Sequence, residues 1–281
     1  MKRKLGNIAV ILFYGIGACL LVWLIYQNGV WPGGSDTMCH VYKGDILYKE
    51  ILKGNFYPLI DPLWYNGVEM MRYWAPLPVY VLALCQALAG GDLFYGYLLF
   101  VGGVFFFGAL VWLRIGGRHG RWKLGAFLGA LWFFMPNNLY ALFVEGNLPR
   151  SLCMIFLPWL TEQIWLYLTE KRWQNLLGIL GCFLPIVLCH LGYAGMILLA
   201  VLLFLAVYLI RFGGLRKCLH ILFALVLSVL ILGVWVYPSL QGGITSTDSS
   251  QVMKTFFQSA AVSLNPFYRI QNGAWAAFYF G

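Results

Sequence analysis

Charge is what this sequence has least of. Only 10% of its 281 residues are Asp, Glu, Lys or Arg, whereas a soluble domain carries roughly 25%. That is too little polar surface to cover a particle in water. With 61% hydrophobic and 18% aromatic residues and a mean hydropathy of +0.77, the chain reads as an integral membrane protein. Nucleotide and hydrolase signatures are missing as well. There is no Walker loop, no dinucleotide fingerprint, no G-x-S-x-G and no H-E-x-x-H, so nucleotide-fuelled and zinc-hydrolase readings have no support. The seven cysteines form no C-x-x-C pair; lying in or beside apolar segments, they read as small core residues rather than disulfides or ligands. Charged residues are nearly absent from the interiors of the apolar segments, which argues against an ion-coupled pump, where such residues form the relay.

What is present is a series of apolar runs punctuated by basic residues. The net charge of +9 is spread between those runs rather than gathered on one tract, a pattern of cytoplasmic loops and not of nucleic-acid binding. Spacing predicts an all-α polytopic bundle of about seven spans, at 7–26, 93–115, 124–143, 151–168, 175–189, 192–210 and 219–236. The segment 74–90 is expected not to cross, because after Pro76 and Pro78 only about a dozen apolar residues remain. On that count twelve of the nineteen basic residues and two of the ten acids (Glu162 and Glu170) fall in the cytoplasm. This puts the N-terminus inside, the chain in the cell membrane, and a first loop (27–92) and a short second loop (144–150) outside. Within the first loop, Ser35-Asp36-Thr37 can start an interfacial helix with an apolar stripe (Val41, Ile46 or Leu47, Tyr48, Ile51, Leu52) and a polar face (Lys43, Lys49, Lys53), stopped by Gly54-Asn55. Trp64, Tyr65, Tyr73 and Trp74 read as interface anchors among turns made by Pro58, Pro62, Asn66 and Gly67. The chain divides into a transmembrane module, 1–240, and an extracytoplasmic segment, 241–281. It ends within a fresh aromatic run, 275–280, as expected of a fragment of a longer protein.

Three polar breaks fall on the same predicted side. Asp36 and His40 are four apart and share a helix face. An N-cap needs only a short polar acceptor, a task Ser35 or Thr37 could do, so capping alone does not require the carboxylate. Glu145, Asn147 and Arg150 crowd the second loop, where a Glu and an Arg in so tight a turn are expensive unless paired or used. Arg150 is shaped to hold a phosphate bidentately, and Glu145 to order it or act as acid or base. Asn137 and Asn138 lie about two helical turns earlier. His190 interrupts two spans and is either a satisfied core histidine or a third member of the same cavity.

In order along the chain stand Gly34-Ser-Asp-Thr-x-x-His40, Ile51-Leu-x-Gly-Asn-x-Tyr-Pro58, Trp64-Tyr-Asn-Gly67, Tyr73-x-x-Pro-Leu-Pro78 and Glu145-Gly-Asn-Leu-Pro-Arg150. Over about residues 8–240 this resembles the bacterial membrane proteins labelled 6-pyruvoyl-tetrahydropterin synthase-related, which themselves resemble the GT-C superfamily of polytopic glycosyltransferases. The resemblance implies a multi-pass membrane enzyme with an extracytoplasmic site. It would transfer a sugar, with inversion, from a polyprenyl-phosphate-linked donor to a glycan, lipid or protein acceptor of the cell envelope. Asp36 matches the acidic residue of the first outer loop, and Glu145 the second acidic loop. His40, Asn147, Arg150 and His190 are the expected substrate- and phosphate-binding set. A single Asp stands where the superfamily often has an acidic pair, so no cofactor is fixed, and Mg²⁺ or Mn²⁺ at Asp36 stays open. Two alternatives remain from other classes: a non-catalytic subunit of envelope glycan assembly, and a transporter or flippase for lipid-linked glycans.

Overall fold

The computed structural model describes residues 2–29, 31–32, 34–64 and 67–240. The expectations placed on Tyr65, Asn66 and 241–281 lie outside the described residues. The described elements are helices: α1 (Lys2–Asn28), α2 (Thr37–Leu52), α3 (Met70–Tyr73), α4 (Pro76–Leu88), α5 (Leu93–Arg118), α6 (Trp122–Phe134), α7 (Pro136–Phe143), α8 (Leu148–Glu170), α9 (Trp173–Cys189), α10 (Leu191–Phe212), α11 (Leu215–Ile231) and α12 (Gly233–Leu240). The only β pairing among them is an isolated antiparallel bridge, Asp61 to Val68. The chain is a helical polytopic membrane protein.

Among the described residues, five helical stretches are long and apolar enough to cross a bilayer: Gly6–Asn28, Leu93–Arg118, Trp122–Phe143, Leu148–Glu170 and Leu191–Phe212. The third is broken between α6 and α7, because the ring of Pro136 drives Met135 out of the helical region, to φ −63° and ψ 116°. The span expected at 219–236 is not one straight helix. It is α11 and α12, bent by 70°, and counts as a sixth crossing only if the pair is taken together. The span expected at 175–189 is α9, whose 17 residues extend about 26 Å, somewhat less than the roughly 30 Å of hydrocarbon. By length and composition the described residues hold five such helices, or six with the bent pair taken as one, against the about seven expected, and α9 falls just short of the length of a span. The segment 74–90 is short as expected: α4 has 13 residues and is about 20 Å long, with Pro76 in its first turn, where no N–H is missed.

α5 is the central post. It packs against α1, α4, α6 and α8, while α8 packs on α9 and α9 on α11. Tyr97, Phe100, Val101, Leu160, Phe183, Ile186 and Leu225 form the buried centre. In lipid this packing rests on van der Waals fit, which small residues improve. Gly116 of α5 and Gly125 of α6 face each other so closely that a Cβ on the former would lie 2.6 Å from the Cα of the latter.

The first loop departs from expectation at two positions, Lys43 and Leu52, the latter exposed at the end of α2 and not part of a buried stripe. Val41 and Leu47 are buried in α2, and Lys49 and Lys53 are largely exposed and paired with Asp45 and Glu50. Lys43 does not share their polar face; it is fully buried. The helix turns Asp36, His40 and Lys43, at i, i+4 and i+7, toward one side, whereas Lys49 and Lys53 lie on another.

Candidate functional site

The site begins with two turns that meet through their backbones. Asp36 N–H donates to the Glu145 carbonyl at 3.0 Å and Ser35 N–H to the Val144 carbonyl at 3.3 Å, while Ser35 Oγ–H also donates to Glu145 O at 2.8 Å. Two glycines permit this approach. Gly146 sits at φ +68°, and a Cβ on it would fall on Thr37; a Cβ on Gly34 would lie 2.5 Å from Gly146 Cα. The sequence Gly34-Ser-Asp-Thr37 and the sequence Glu145-Gly146 thus require each other. Both loops lie at the same end of the bundle.

Asp36 stands at the N-cap of α2 but makes no side-chain capping bond. Its own backbone is near-helical (φ −110°, ψ −2°), outside the extended region from which a cap oxygen reaches back to N2 or N3. The carboxylate is exposed and contributes to the wall of a cavity of about 410 Å³. Across that cavity stand His40, Asn147 and His190, over a floor that includes Trp74, Pro78, Trp235 and Ser239. α12 is held there by Trp235 Nε1–H to the Met71 carbonyl (2.8 Å) and by Arg72 Nε–H to the Pro238 carbonyl (3.0 Å).

Two of the cavity side chains are already half used. Asn147 caps α8, its Oδ1 accepting from Arg150 N–H at 3.0 Å, as an Asn before Leu-Pro-Arg should. His190 caps α10 in the same way, its Nδ1 accepting from Tyr193 N–H at 3.1 Å. That bond fixes the neutral tautomer with hydrogen on Nε2, and burial, with Arg150 nearby, holds the ring's pKa below its ordinary value. His190 is left with its Nε2 hydrogen, and Asn147 with both amide hydrogens and one Oδ1 lone pair. His40 is pushed down to about 3, first by burial and then by Lys43 and His190, so it is a neutral imidazole beside the Asp36 carboxylate.

Glu145 and Arg150 stand behind this wall. Arg150 Nη1 bonds both Glu145 oxygens, at 3.2 and 3.0 Å, Nη2 bonds Asn137 Oδ1, and the guanidinium lies 5.8 Å from the Tyr193 ring centre. The fork expected to hold a phosphate is thus engaged within the chain, where it ties α7, the second loop and α8 together. A separate cavity of about 540 Å³ lies among α5 to α8 and α10, bordered by Asn137 and Tyr193 as well as by His119 and Glu162. Glu162 Oε1 lies 3.1 Å from His119 Nε2 and accepts from it when that nitrogen carries the hydrogen, and Oε2 lies 3.8 Å from Arg118.

Sequence reasoning missed Lys43, Trp235 and Ser239. Lys43 was findable: it continues the i, i+4 spacing of Asp36 and His40 by one more turn. α12 gave no local signal, because its place at the cavity depends on the bend after α11.

A family model for the 6-pyruvoyl-tetrahydropterin synthase related domain, described as a membrane protein, matches residues 71–281. The chain belongs to that family. Comparison with curated proteins and with solved structures gives no match. The family match covers α4 to α12, hence Glu145, Asn147, Arg150 and His190, while Asp36, His40 and Lys43 lie before it. In this member of the PTPS-related family, the cavity is therefore shared between the matched region and the segment that precedes it.

Among the described residues no group of three His, Cys, Asp or Glu side chains forms a metal cluster. Asp36 is a lone carboxylate there, since Glu145 is held by Arg150, and one carboxylate beside an imidazole is a poor donor set for Mg²⁺ or Mn²⁺, which take mostly oxygen ligands in near-octahedral number.

Proposed function

We propose that the protein is an inverting glycosyltransferase of GT-C type. It transfers a sugar from a polyprenyl-phosphate-linked donor to an envelope glycan, lipid or protein on the extracytoplasmic face. The observation that carries the reading is the uncapped Asp36 carboxylate, held by backbone bonds to the Glu145 turn and facing a cavity beside a neutral His40. A helix start needs no such residue, and a carboxylate free of cation partners is what a general base requires.

In this reading the acceptor hydroxyl gives its proton to Asp36 as its oxygen attacks the anomeric carbon. The bond to the lipid phosphate breaks on the opposite face, and the phosphate leaves with the electron pair. Asn147 and His190 donate to oxygens that gain charge, which favours the transition state over the ground state. Glu145 and Arg150 act as positioning residues. No step is routed through a cation. The lipid tail lies in the apolar groove of about 1340 Å³ between α1, α4 and α5, on the other side of α4 from the cavity.

The test is Asp36→Asn in cells that depend on this chain. Transfer, read as envelope glycan composition, should be lost while the amount of protein in the membrane stays at the wild-type level. Normal glycan with the variant would overturn the enzyme reading and favour a scaffold or transporter.

A further inference from the structure

Lys43 is the charged group of this site that general-base chemistry leaves unexplained. Its side chain is 0% exposed, Nζ has no geometrically formed hydrogen bond, and the acceptor beside it is the weak one of the Cys39 sulfur, one turn earlier. Its neighbours are the faces of two stacked indoles, Trp74 at 3.8 Å and Trp64 at 5.1 Å from the ring centres. Most acids of the same loop are engaged elsewhere: Asp45 with Lys49 and Gln86, Glu50 with Lys53, Glu69 with Arg72 and Asp92 with the start of α5, while the buried Asp61 accepts from Leu63 N–H through Oδ1 and forms no ion pair with Lys43. Cys39 and, less, Asp36 favour the charged amine, but neither offsets its burial, and Asp36 forms no ion pair with it. An ammonium buried with only a thiol sulfur and aromatic faces around it is unfavourable, because these make up only part of the lost hydration.

Trp74 is also a wall of the 410 Å³ cavity, so one indole separates the ammonium from that space. The other cavity groups tell what would fit. His190 has its acceptor nitrogen occupied by a backbone N–H and can only donate, and Asn147, with one Oδ1 lone pair occupied in the same way, keeps both amide hydrogens to donate. Three donors around a single carboxylate suit a ligand rich in acceptor oxygens and carrying negative charge.

We propose that Lys43 is the anion-binding residue of this cavity, donating to an oxygen of a phosphate ester once Trp74 turns aside. The assignment of the phosphate rests on the donor set alone. Its carrier, a lipid-linked sugar, rests on the glycosyltransferase reading; a bilayer phospholipid would present the same chemistry.

Binding of a radiolabelled short-chain polyprenyl monophosphate to the full chain in maltoside detergent tests this. Lys43→Met should weaken binding roughly ten- to a hundredfold, the loss of one charge-assisted hydrogen bond, while Lys43→Arg stays within a few-fold. The uncharged polyprenol should bind both variants equally. Unchanged phosphate binding by Lys43→Met would overturn the inference. Should that variant not fold, acylation of wild-type Lys43, read by mass spectrometry, decides: the phosphate ligand should protect Lys43 and the alcohol should not, and equal labelling in both would overturn it. Competition by phosphatidylglycerol as strong as by the polyprenyl phosphate would keep the oxyanion site and assign it to a phospholipid headgroup. The two proposals fail separately. Lys43→Met with normal sugar transfer sinks the anion site alone; phosphate bound through Lys43 in a wild-type chain that transfers no sugar sinks the enzyme reading alone.

Discussion

A buried imidazole in contact range of a cation and a second histidine has a proton affinity set by its surroundings. His40 is the clearest case. Folding lowers its pKa from about 6.5 to about 3, so between those values the unfolded chain binds a proton that the folded chain does not. Stability then rises with pH across that window. It is fully present above about 6.5 and is lost as pH falls toward 3. His190 contributes in the same direction. Thermal unfolding in detergent at neutral pH and at pH 5 should therefore show an acid-side loss that His40→Gln reduces; an identical loss in the variant would show that His40 is not the group responsible. Arg150 illustrates a different residue-scale lesson. Its geometry suits a phosphate, yet a Glu five positions earlier and an Asn thirteen positions earlier engage both terminal nitrogens within the fold, leaving Nε buried without a partner.

At the level of elements, the site depends on the docking of the α2 start onto the turn before α8. Gly146 is where this can be tested. Alanine there meets two penalties: the left-handed backbone at φ +68° and the overlap with Thr37. Gly120 has nearly the same backbone, φ +70°, with nothing within 4 Å. Gly120→Ala should lose only the backbone contribution, about 1–2 kcal/mol. Gly146→Ala should lose more, and should also raise protease sensitivity within the first loop. Equal melting temperatures for the two would mean that the docking carries no stability. The helix starts here were readable from local chemistry: Asn147 before Leu-Pro-Arg, Pro76 at the head of α4 and Gly54 after α2 all act within one turn of themselves. The bend between α11 and α12 and the seat of Trp235 against the Met71 carbonyl were not, because both depend on partners more than a hundred residues away.

For the whole molecule the question is sidedness. Asp36 and Glu145 are joined by a backbone hydrogen bond, whereas His119 follows the 26 residues of α5, about 39 Å along the helix. In a cysteine-free background, single cysteines at 36 and 145 should react with a membrane-impermeant thiol reagent from one face and a cysteine at 119 from the other. The density of Lys and Arg around 114–123 predicts that the face of 119 is the cytoplasm. Labelling of 36 and 145 from opposite faces would remove the shared site.

Composition alone determined that this chain lives in a membrane and is helical, because too few charges and long apolar runs leave a lipid-embedded chain only structures that satisfy their own backbone hydrogen bonds. Spacing placed Asp36 beside His40 and Glu145 beside Arg150, since one helical turn or one tight turn brings such neighbours together. Tertiary structure decided which of them face the cavity. It put Glu145 and Arg150 behind the wall, left the Asp36 carboxylate uncapped, and sealed Lys43 under Trp74. Those outcomes follow from which distant surfaces fill the space around each side chain, and local sequence does not encode that.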